Sequence, residues 1–413
     1  MPLTLADCRA RDDATHGVGR FAQRFAPGEP GTLYLDASSI GPMPADVPRR
    51  MQALLEQGWS GLRRRGWNEL DWLQQPRSIA AGIAHLVGAR PDDLRIADST
   101  SVNQYKLLRY ALACAGPHRR VIVAERDVFP SNRYVAEGIA RAGGAQLRLV
   151  DGAGALDAAL APGDVAVVTL SLVDYRSSER LDMPGVTAAV HRGGALALWD
   201  LSHAAGAVAI DLAGSDADLA VGCGYKYLCG GPGAPAFVYV HPRHAQAAWP
   251  AVCGWMGHAD TFAFEPDYRP AAGADRFLVG TPPVVANAAF AAAADVWREV
   301  DPQAMHARHR SLGDTLIALL DEQCAQFGVC VTSPRAHDRR GGHVAVRFDG
   351  ASALAQALVD RKVVVSARKP DSLRFAVHPL ATTHEQLWQA VRVLRDILAT
   401  AAWRDPTYNR AAV

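Results

Sequence analysis

The chain has 413 residues, of which 49% are apolar and 21% are charged, and its formal net charge at pH 7 is +1. This length exceeds the size at which one hydrophobic core keeps growing, so we expect two domains that share a cleft. The composition is that of a soluble globular protein, and the balanced charge argues against a nucleic-acid-binding face.

Signals for membrane insertion, secretion or metal binding are not evident. No window reaches 18 apolar residues, and the N-terminus, MPLTLADCRARDDATHG, mixes acids with bases and lacks the apolar core of a signal peptide. The seven cysteines are scattered without a CxxC pair, which is typical of reduced thiols in the cytoplasm. The histidines show no metal-ligand spacing. We therefore expect a cytoplasmic protein with no membrane contact and no metal site.

The first predicted elements are a helix and a short strand. Helical spacing of apolar residues extends over Pro44–Trp59, on Val47, Met51, Leu54, Leu55 and Trp59. The apolar run Leu94–Ala97 predicts a strand, and Asp98, Ser99 and Thr100 follow it at the start of a helical stretch. Hydroxyls and N–H groups at a helix N-terminus form an anion site, although Ser and Thr are also ordinary N-caps.

Strand-like apolar runs then alternate with helix-length segments. The predicted strands are Val121–Ala124, Val165–Leu170, Ala195–Trp199, Leu219–Val221 and Ala236–Val240, and the predicted helices include Asn132–Ala142, Met183–Arg192 and the buried stretch Ala286–Trp297. This alternation predicts an α/β fold with a largely parallel sheet between helices, in which the last of these strands could pair antiparallel. Ligands of such sheets lie at the carboxyl ends of the strands.

After residue 300 the pattern is that of a small α+β domain. The predicted strands are His343–Phe348, Lys362–Ser366 and Leu373–Val377, around a helix at Ala351–Arg361. A final helix carries Leu387, Val391, Leu394 and Leu398 on one stripe, after a capping-box pattern at Thr382 and Glu385. We divide the chain into an N-terminal segment, residues 1–45, which contributes to the active site or the small domain, a large domain, residues 46–300, and a small domain, residues 301–413.

Residues 196–240 carry the most specific chemical signal. Asp200 and His203 follow an apolar run, and Lys226 stands in a Gly-Tyr-Lys-Tyr sequence ahead of the glycine-rich stretch Gly230–Gly233. Pyridoxal phosphate chemistry needs a lysine for the Schiff base and a carboxylate that keeps the pyridine nitrogen protonated. Hydroxyl and backbone N–H groups hold its phosphate. An aspartate at a strand end and a lysine in a loop are also common in α/β proteins, so the spacing alone leaves open both an ordinary structural role and a pyridoxal phosphate site at Lys226.

The runs WDLSHAAGAVAIDL and DLAVGCGYKYLCGGPGAPAF in this segment resemble the cofactor-binding segment of kynureninases, which are fold-type I enzymes related to class V aminotransferases. The blocks YLDASSIG, DSTSVN, FPSN, GWMGH and GTPP resemble other parts of the family, so the resemblance extends from about residue 30 to residue 395. It implies the fold-type I architecture, with a large domain of mostly parallel sheet, a small C-terminal α+β domain and pyridoxal 5'-phosphate as the cofactor.

The resemblance also implies roles for single residues. Lys226, Tyr225 and Asp200 match the catalytic positions, and Ser99 and Thr100 match residues that hold the phosphate. Phe129 matches an aromatic residue stacked on the cofactor ring. The other cofactor-binding residues implied by the family are Ser131, Asn132, Ser171, His203, Trp255 and Thr281.

Two further implications concern the partner subunit and the substrate. Trp255 and Thr281 match residues that reach the phosphate of the neighbouring subunit's site, which implies a homodimer with shared active sites. Arg374 matches the clamp for the substrate carboxylate, Trp67 an aromatic residue against the substrate ring, and Ser38 a loop near the substrate. The implied partner is thus a small amino-acid substrate.

The chain departs from the family pattern at several of these positions. Asn132 stands in FPSN where the family usually has FPTD, and Ser38 replaces the usual Asn of its loop. Leu172 and Asp174 lie in LVDY where many members have HVNY, and VSARKP, with Ser366-Ala367, replaces a stretch like GD(F/Y)REP. We expect several of these changes to reshape the pocket around the γ-substituent of the substrate.

The family resemblance implies a hydrolase that cleaves the Cβ–Cγ bond of L-kynurenine, 3-hydroxy-L-kynurenine or both, giving (3-hydroxy)anthranilate and L-alanine. The alternative is another pyridoxal-phosphate lyase of the β-lyase or desulfurase type. A desulfurase needs a mobile nucleophilic cysteine, and Cys223 and Cys229 flank the lysine. A third possibility is a regulator that binds the cofactor without turnover, but such proteins usually carry an added DNA-binding domain, and no such segment is evident.

Overall fold

The computed structural model of the chain describes residues 3–408. The predicted domain ranges extend beyond these limits by two residues at the start and five at the end. Within the described residues the α-helices are α1 Leu5–Ala14, α2 His16–Gly19, α3 Val47–Ala53, α4 Gly66–Glu69, α5 Gln75–Ile83, α6 Thr100–Cys114, α7 Pro130–Arg141, α8 Leu156–Leu160, α9 Met183–Arg192, α10 Val284–Trp297, α11 Pro302–Gln323, α12 Ala351–Asp360 and α13 His384–Ala399. Among residues 3–408, no helix combines the length and apolarity needed to cross a bilayer.

The strands of the described residues form a main sheet, a small sheet and a short pair. They are β1 Leu33–Tyr34, β2 Leu94–Ala97, β3 Val121–Glu125, β4 Gln146–Val150, β5 Val165–Ser171, β6 Leu196–Asp200, β7 Leu219–Gly222, β8 Ala236–Val240, β9 Cys330–Val331, β10 Val344–Arg347, β11 Val363–Val364, β12 Ser366–Arg368 and β13 Ser372–Phe375. The main sheet has the order β2-β8-β7-β6-β5-β3-β4, and the small sheet has the order β12-β13-β10-β9.

The main sheet confirms the predicted α/β fold. Strands β3 to β7 pair in parallel, whereas β8 runs antiparallel to both β2 and β7. Alternate residues serve opposite faces: Leu198 packs in one cluster with residues of α6 and α7, and Trp199 packs in another with residues of α5 and α10. Because helices cover both faces, the central strands are apolar throughout rather than alternating. The carboxyl ends of the strands are left to bind a ligand.

The small sheet packs in a second apolar cluster with α11, α12 and α13. The N-terminal segment joins this cluster through Cys8 and Leu35, and β1 pairs in parallel with β11. Val18, Phe21 and Phe25 of the same segment pack instead in the core of the main sheet, so the segment contacts both parts of the chain, and the division at residues 45 and 300 stays a prediction.

The predicted helix at Pro44–Trp59 is wrong in its second half. The α-helix ends at Ala53, and a π-helix continues over Leu54–Leu62. A π-helix has wider turns than an α-helix, so side chains at α-helical spacing no longer share one face. Leu55 and Trp59 are accordingly 43% and 64% exposed instead of lying on a buried stripe.

The predicted strand Lys362–Ser366 is divided in the structure. Its first part, β11, pairs with β1, whereas β12 begins at Ser366 and pairs with β13. The two halves therefore belong to different sheets, and Val365 marks the change between them. The periodicity of a five-residue run could not reveal that change of partner.

The predicted capping box is displaced by one residue. The side chain of Thr383 accepts from Gln386 N, and the side chain of Gln386 accepts from Thr383 N. Thr382 instead accepts from His378 N, and Glu385 forms an ion pair with Arg9 of α1. Thr382 with Glu385 and Thr383 with Gln386 both have the capping-box spacing. The spacing alone therefore did not show which pair caps the helix.

Candidate active site

Lys226 lies in the loop between β7 and β8, at the carboxyl edge of the main sheet. Its side chain is buried, and Nζ lies 2.9 Å from Nε2 of His203. Burial lowers the pKa of Lys226, and burial together with the charge of Lys226 holds the pKa of His203 well below its ordinary value. A neutral imidazole therefore stands next to an amine that loses its proton more easily than a surface lysine does.

The lysine loop, residues 224–230, is anchored to the small domain. The Tyr227 hydroxyl donates to Gly342 O at 2.6 Å, and His378 Nε2 donates to Tyr227 O at 2.9 Å. Gly41 also lies against this loop, where a Cβ atom would be 2.2 Å from the carbonyl oxygen of Lys226. The position of the lysine therefore depends on the N-terminal segment and the small domain as well as on its own strands.

Asp200 ends β6 and is buried on the opposite side of the same cavity. Its Oδ1 accepts from Ser202 N at 2.8 Å, and its Oδ2 accepts from Asn132 Nδ2 at 2.7 Å. Within residues 3–408 both of these partners are neutral, and no cationic side chain lies within ion-pair distance of the carboxylate. A buried carboxylate held by neutral donors is an expensive arrangement unless a ligand brings a positive group. The protonated ring nitrogen of pyridoxal phosphate fits this requirement.

The N-terminus of α6 lines the cavity with three hydroxyl residues, Ser99, Thr100 and Ser101. Ser99 is the N-cap and accepts from Val102 N at 3.4 Å, and Thr100 Oγ1 lies 3.1 Å from Cys223 Sγ. Ser99 is thus the predicted N-cap, and the anion site at this turn stays a prediction. Free N–H groups, hydroxyls and the positive end of α6 suit the phosphate of the cofactor.

These groups enclose one cavity of about 470 Å³, which we call the lysine cavity. This volume is in the range of small-molecule sites, so a cofactor and part of a substrate fit. The predicted residues that line it are Ser99, Thr100, Phe129, Ser131, Asn132, Asp200, His203, Tyr225, Lys226 and Thr281. The lysine, carboxylate, hydroxyl and aromatic groups that the cofactor needs are thus brought together from five separate parts of the sequence.

Phe129 stands at the N-terminus of α7 with its ring beside the lysine. The Lys226 Nζ atom is 5.6 Å from the centre of the Phe129 ring. Tyr175 packs edge-on against that ring with the centroids 5.3 Å apart. This packing holds the aromatic ring where a planar cofactor could stack on it.

Thr281 and Trp255, which were predicted to act in the partner's site, are placed differently. Thr281 lines the lysine cavity of its own chain, whereas Trp255 does not line it. Trp255 is partly exposed and its ring lies 6.1 Å from that of Phe262. The assignment of both residues to the neighbouring subunit stays a prediction.

The remaining predicted site residues lie outside the lysine cavity. Ser171 ends β5 next to Asp200 in register but lines a neighbouring hollow with Glu125. Ser38 is buried with its hydroxyl 3.5 Å from Asp36 Oδ1. Their roles in binding stay predictions.

Trp67 and Arg374 also lie outside the cavity lining. Trp67 packs edge-on against Trp72 at 5.2 Å and lines a surface hollow with Trp59. Arg374 is fully buried in β13 and reaches toward the cavity, since one of its terminal nitrogens donates to Tyr175 O at 2.6 Å. Tyr175 in turn packs against Phe129, so Tyr175 is the residue that lies between Arg374 and the lining of the lysine cavity.

Two groups of the site were not identified from the sequence. Lys106 of α6 is buried and contacts Asp98 Oδ2 at 2.6 Å and Phe277 O at 2.7 Å, so it fixes the turn that precedes α6. Ser202 donates its N–H to Asp200, and its hydroxyl accepts from Cys223 Sγ. Lys106 could have been noticed as a lone lysine within the apolar stretch of α6. No sequence pattern pointed to Ser202.

Solved structures with the same architecture are pyridoxal phosphate enzymes and their relatives. The chain superposes on a variant of C-DES with glycine covalently linked to its PLP cofactor, with a TM-score of 0.77 at 19% identity over 90% of this chain and 98% of that chain. It also superposes on the cysteine desulfurase CsdA of Escherichia coli, with a TM-score of 0.75 at 17% identity over 93% and 98% of the two chains. At these identities the likeness establishes the fold.

The fold, together with a buried lysine, carboxylate and hydroxyl turn in one cavity, defines a pyridoxal phosphate enzyme of fold type I. A family model described as the kynureninase C-terminal domain matches residues 305–394. The chain is 40% identical over 411 residues to a kynureninase of Pseudomonas fluorescens, covering 98% of both chains. It is 41% identical over 403 residues to a kynureninase of Deinococcus radiodurans, covering 94% of both. The chain belongs to the kynureninase family.

Proposed function

We propose that this enzyme hydrolyses the Cβ–Cγ bond of L-kynurenine, 3-hydroxy-L-kynurenine or both, releasing L-alanine and the matching anthranilate. The observation that carries the proposal is the 40% identity to a kynureninase over 98% of the chain. The lysine cavity supports it, because Lys226, His203 and Asp200 occupy one enclosed site. The enzyme is thus a hydrolase that acts on carbon–carbon bonds in ketonic substances.

The residues of the cavity divide the work of this reaction. Bound pyridoxal phosphate supplies the electron sink for bonds at Cα of the amino acid. Lys226 removes and returns protons at Cα, and His203, 2.9 Å away, is placed to exchange a proton with it. Asp200 would hold the protonated ring nitrogen of the bound cofactor through its carboxylate. Burial raises the pKa of Tyr225, so its hydroxyl stays protonated and can donate to the phosphate or the substrate.

The small domain supplies the contact with the amino-acid carboxylate. Arg374 is fully buried, and burial together with the charge of Arg368 lowers its pKa to about 10, so it remains charged at neutral pH. Its planar guanidinium suits two parallel hydrogen bonds to a carboxylate. In this proposal it orients the substrate so that the Cα–H bond faces Lys226.

Neither cysteine beside the lysine is suited to a desulfurase mechanism. Cys223 is buried between Thr100 and Ser202, and Cys229 is fully buried next to His378, where burial raises its pKa. A thiol nucleophile needs access and thiolate character. The relatives of high identity also favour the hydrolase over the lyase alternative.

The direct test is incubation of the purified holoenzyme with L-kynurenine and with 3-hydroxy-L-kynurenine. We expect anthranilate-type fluorescence to rise together with L-alanine in equal amounts. L-cysteine and L-cystine serve as control substrates for the lyase alternative. Sulfur release without kynurenine turnover would overturn the proposal, and the two kynurenines measured side by side decide the ring preference.

We further propose that the enzyme works as a cytoplasmic homodimer with shared sites. The support is a surface patch of aromatic residues, Trp255, Phe262 and Phe264, of which the last two are 60% and 76% exposed with rings in contact. Exposed apolar patches of this kind typify subunit interfaces.

Sharing is tested by mixing chains. Lys226→Ala and Thr281→Ala are each expected to be inactive or strongly impaired. If Thr281 acts across the dimer, co-refolded mixtures regain activity, because each heterodimer has one intact site. If Thr281 acts in its own chain, where it lines the cavity, the mixture stays at the sum of the parents.

A further inference from the structure

The strand pair β12 and β13 presents two arginines on the side that looks toward the lysine cavity. Leu373 and Phe375 of β13 pack into the apolar cluster of the small domain, so Arg374 between them faces the other way. Ser366 is directly opposite Arg374 in the antiparallel register, and Arg368 follows two residues later on the same face. We call Ser366, Arg368 and Arg374 the arginine face.

The two guanidinium groups are close. Diagonal neighbours in an antiparallel pair have Cβ atoms about 7–8 Å apart, which long side chains bridge easily. Consistent with this, the charge of Arg368 lowers the pKa of Arg374, and it also acts on Lys226 and His203. Arg374 also donates to Tyr175 O at 2.6 Å, and the Tyr175 ring lies 5.3 Å from that of Phe129 and 6.4 Å from that of His203, so the arginine face borders the reacting part of the site.

The positive charge of the arginine face is not neutralised by the protein. Arg374 donates to Tyr175 O and to the Ser366 hydroxyl, and Arg368 donates to Ala367 O. Within residues 3–408 neither arginine forms an ion pair with a carboxylate, and Asp36 acts on Arg374 only from beyond contact distance. Two neighbouring cations without counter-charges are unfavourable unless anions bind between them and the reacting groups.

The proposed reaction creates the missing second anion. Water adds its oxygen to Cγ, the Cβ–Cγ bond breaks, and its electron pair stays on Cβ, which is then protonated. The acyl carbon leaves as a carboxylic acid that gives up its proton at neutral pH. A substrate with one carboxylate thus becomes two products with one carboxylate each, and the arginine face offers one guanidinium for each.

We propose that Arg368 is a second anion-binding residue of the substrate site, which binds the carboxylate formed at Cγ, while Arg374 binds the amino-acid carboxylate. This inference rests on the proposed hydrolase function. Arg368 also stabilises the negative charge that develops on the γ-oxygens as water adds. It is therefore a determinant of acid-product affinity and of the acyl groups that the enzyme accepts.

Equilibrium binding of the two products to the holoenzyme tests this division. Fluorescence and calorimetric titrations give the dissociation constants of 2-aminobenzoate and of L-alanine. Arg368→Met is expected to weaken 2-aminobenzoate binding roughly ten- to hundredfold, the range of one charge-assisted hydrogen bond, and to leave L-alanine within twofold. Arg374→Met is expected to do the reverse, and Arg368→Lys to recover part of the loss.

Arg392→Met is the matched control, because Arg392 is an exposed arginine of α13 that contacts Trp388. Unchanged 2-aminobenzoate binding in Arg368→Met, with normal kynurenine turnover in the wild type, would overturn the inference and leave the function standing. Equal losses for both products would also overturn it, since they indicate a structural role. Absence of kynurenine turnover in the wild type would instead contradict the function itself.

Discussion

The lysine cavity and the arginine face, which Tyr175 connects through its contacts with Phe129 and Arg374, differ in the signs of their charges: the cavity has both signs and the arginine face has positive charge alone. In the cavity the charged groups are held by the protein: Lys226 contacts His203, and Asp200 accepts from Asn132 and Ser202. On the arginine face, Arg374 and Arg368 have no carboxylate partner among residues 3–408. The cavity thus contains a lysine and a carboxylate that the cofactor joins, whereas the arginine face contains two cations that the anions of the substrate and product join. Substitutions in the lysine cavity should therefore alter cofactor binding, whereas substitutions on the arginine face should alter substrate binding alone.

The largest expected effect is that of Lys226→Ala. Turnover is expected to fall more than a thousandfold, because the covalent anchor of the cofactor and the base at Cα are lost together. The visible absorbance of the lysine-bound cofactor should disappear as well. Lys362→Ala, which removes an exposed lysine paired with Glu29, is the control. An active Lys226→Ala enzyme would rule out the mechanism.

Asp200→Ala tests the other wall of the cavity. The ring nitrogen of the cofactor loses its negative partner, so the activation free energy of proton removal at Cα should rise by about 3–5 kcal/mol. Each increase of roughly 1.4 kcal/mol lowers the rate tenfold. Stopped-flow measurement of a Cα-deuterated substrate reports this step. Asp157→Ala, on the exposed side of α8, controls for the loss of a carboxylate. Near-normal turnover would mean that Asp200 does not face the ring nitrogen.

Arg374→Lys probes the substrate side. The variant keeps the charge but loses the planar fork, so one of two parallel hydrogen bonds to the carboxylate is lost. We expect kcat/KM to fall about ten- to hundredfold while the cofactor spectrum is unchanged. If the cofactor spectrum is lost together with activity, Arg374 also supports the lysine cavity, and its role is not confined to the substrate.

The smallest expected effect concerns His378, which joins the small domain to the lysine loop by donating to Tyr227 O. Burial lowers its pKa from 6.5 to about 4, so the folded state excludes a proton that the unfolded state binds below pH 6.5. Stability is complete above pH 6.5 and falls as the pH approaches 4, by about 1.4 kcal/mol at one pH unit below 6.5.

His378→Gln keeps a donor for the carbonyl but cannot titrate, so its urea midpoint should fall less between pH 7.5 and pH 5.5. His16→Gln, at an exposed position of α2, is the control. Identical pH slopes in the wild type and the His378 variant would show that titration of this imidazole does not contribute to the pH dependence of stability.

Much of the cavity was predictable because its residues follow strands. The predicted strand Ala236–Val240 and helix Met183–Arg192 have the same bounds in the structure, and Asp200 lies at the end of β6 as expected. Strand-end residues converge at one edge of a parallel sheet, so local pattern carries over into position. The edge strand β4 was not predicted, because its residues are mostly partly exposed and lack an apolar run.

The arginine face was less predictable because it depends on register between distant segments. The pairing of Ser366 with Arg374 decides that Arg368 shares their face, and no local pattern gives that register. The long helix α11 was likewise not predicted, since its charged and apolar residues give a weak periodicity around buried Arg308 and His309. These features follow from tertiary packing rather than from local propensity.

The order of the main sheet has a consequence for the synthesis of this protein. Within residues 3–408, β8 is the sole neighbour of β2 in that sheet, yet it lies far later in the chain. At about 5–20 residues per second, a ribosome needs on the order of ten seconds after β2 to produce β8. Until then the turn at Asp98 to Thr100 has no strand beside it. A nascent chain can therefore acquire its cofactor only late in translation, when Lys226 has emerged as well, and a truncated chain that ends before β8 is expected to bind none.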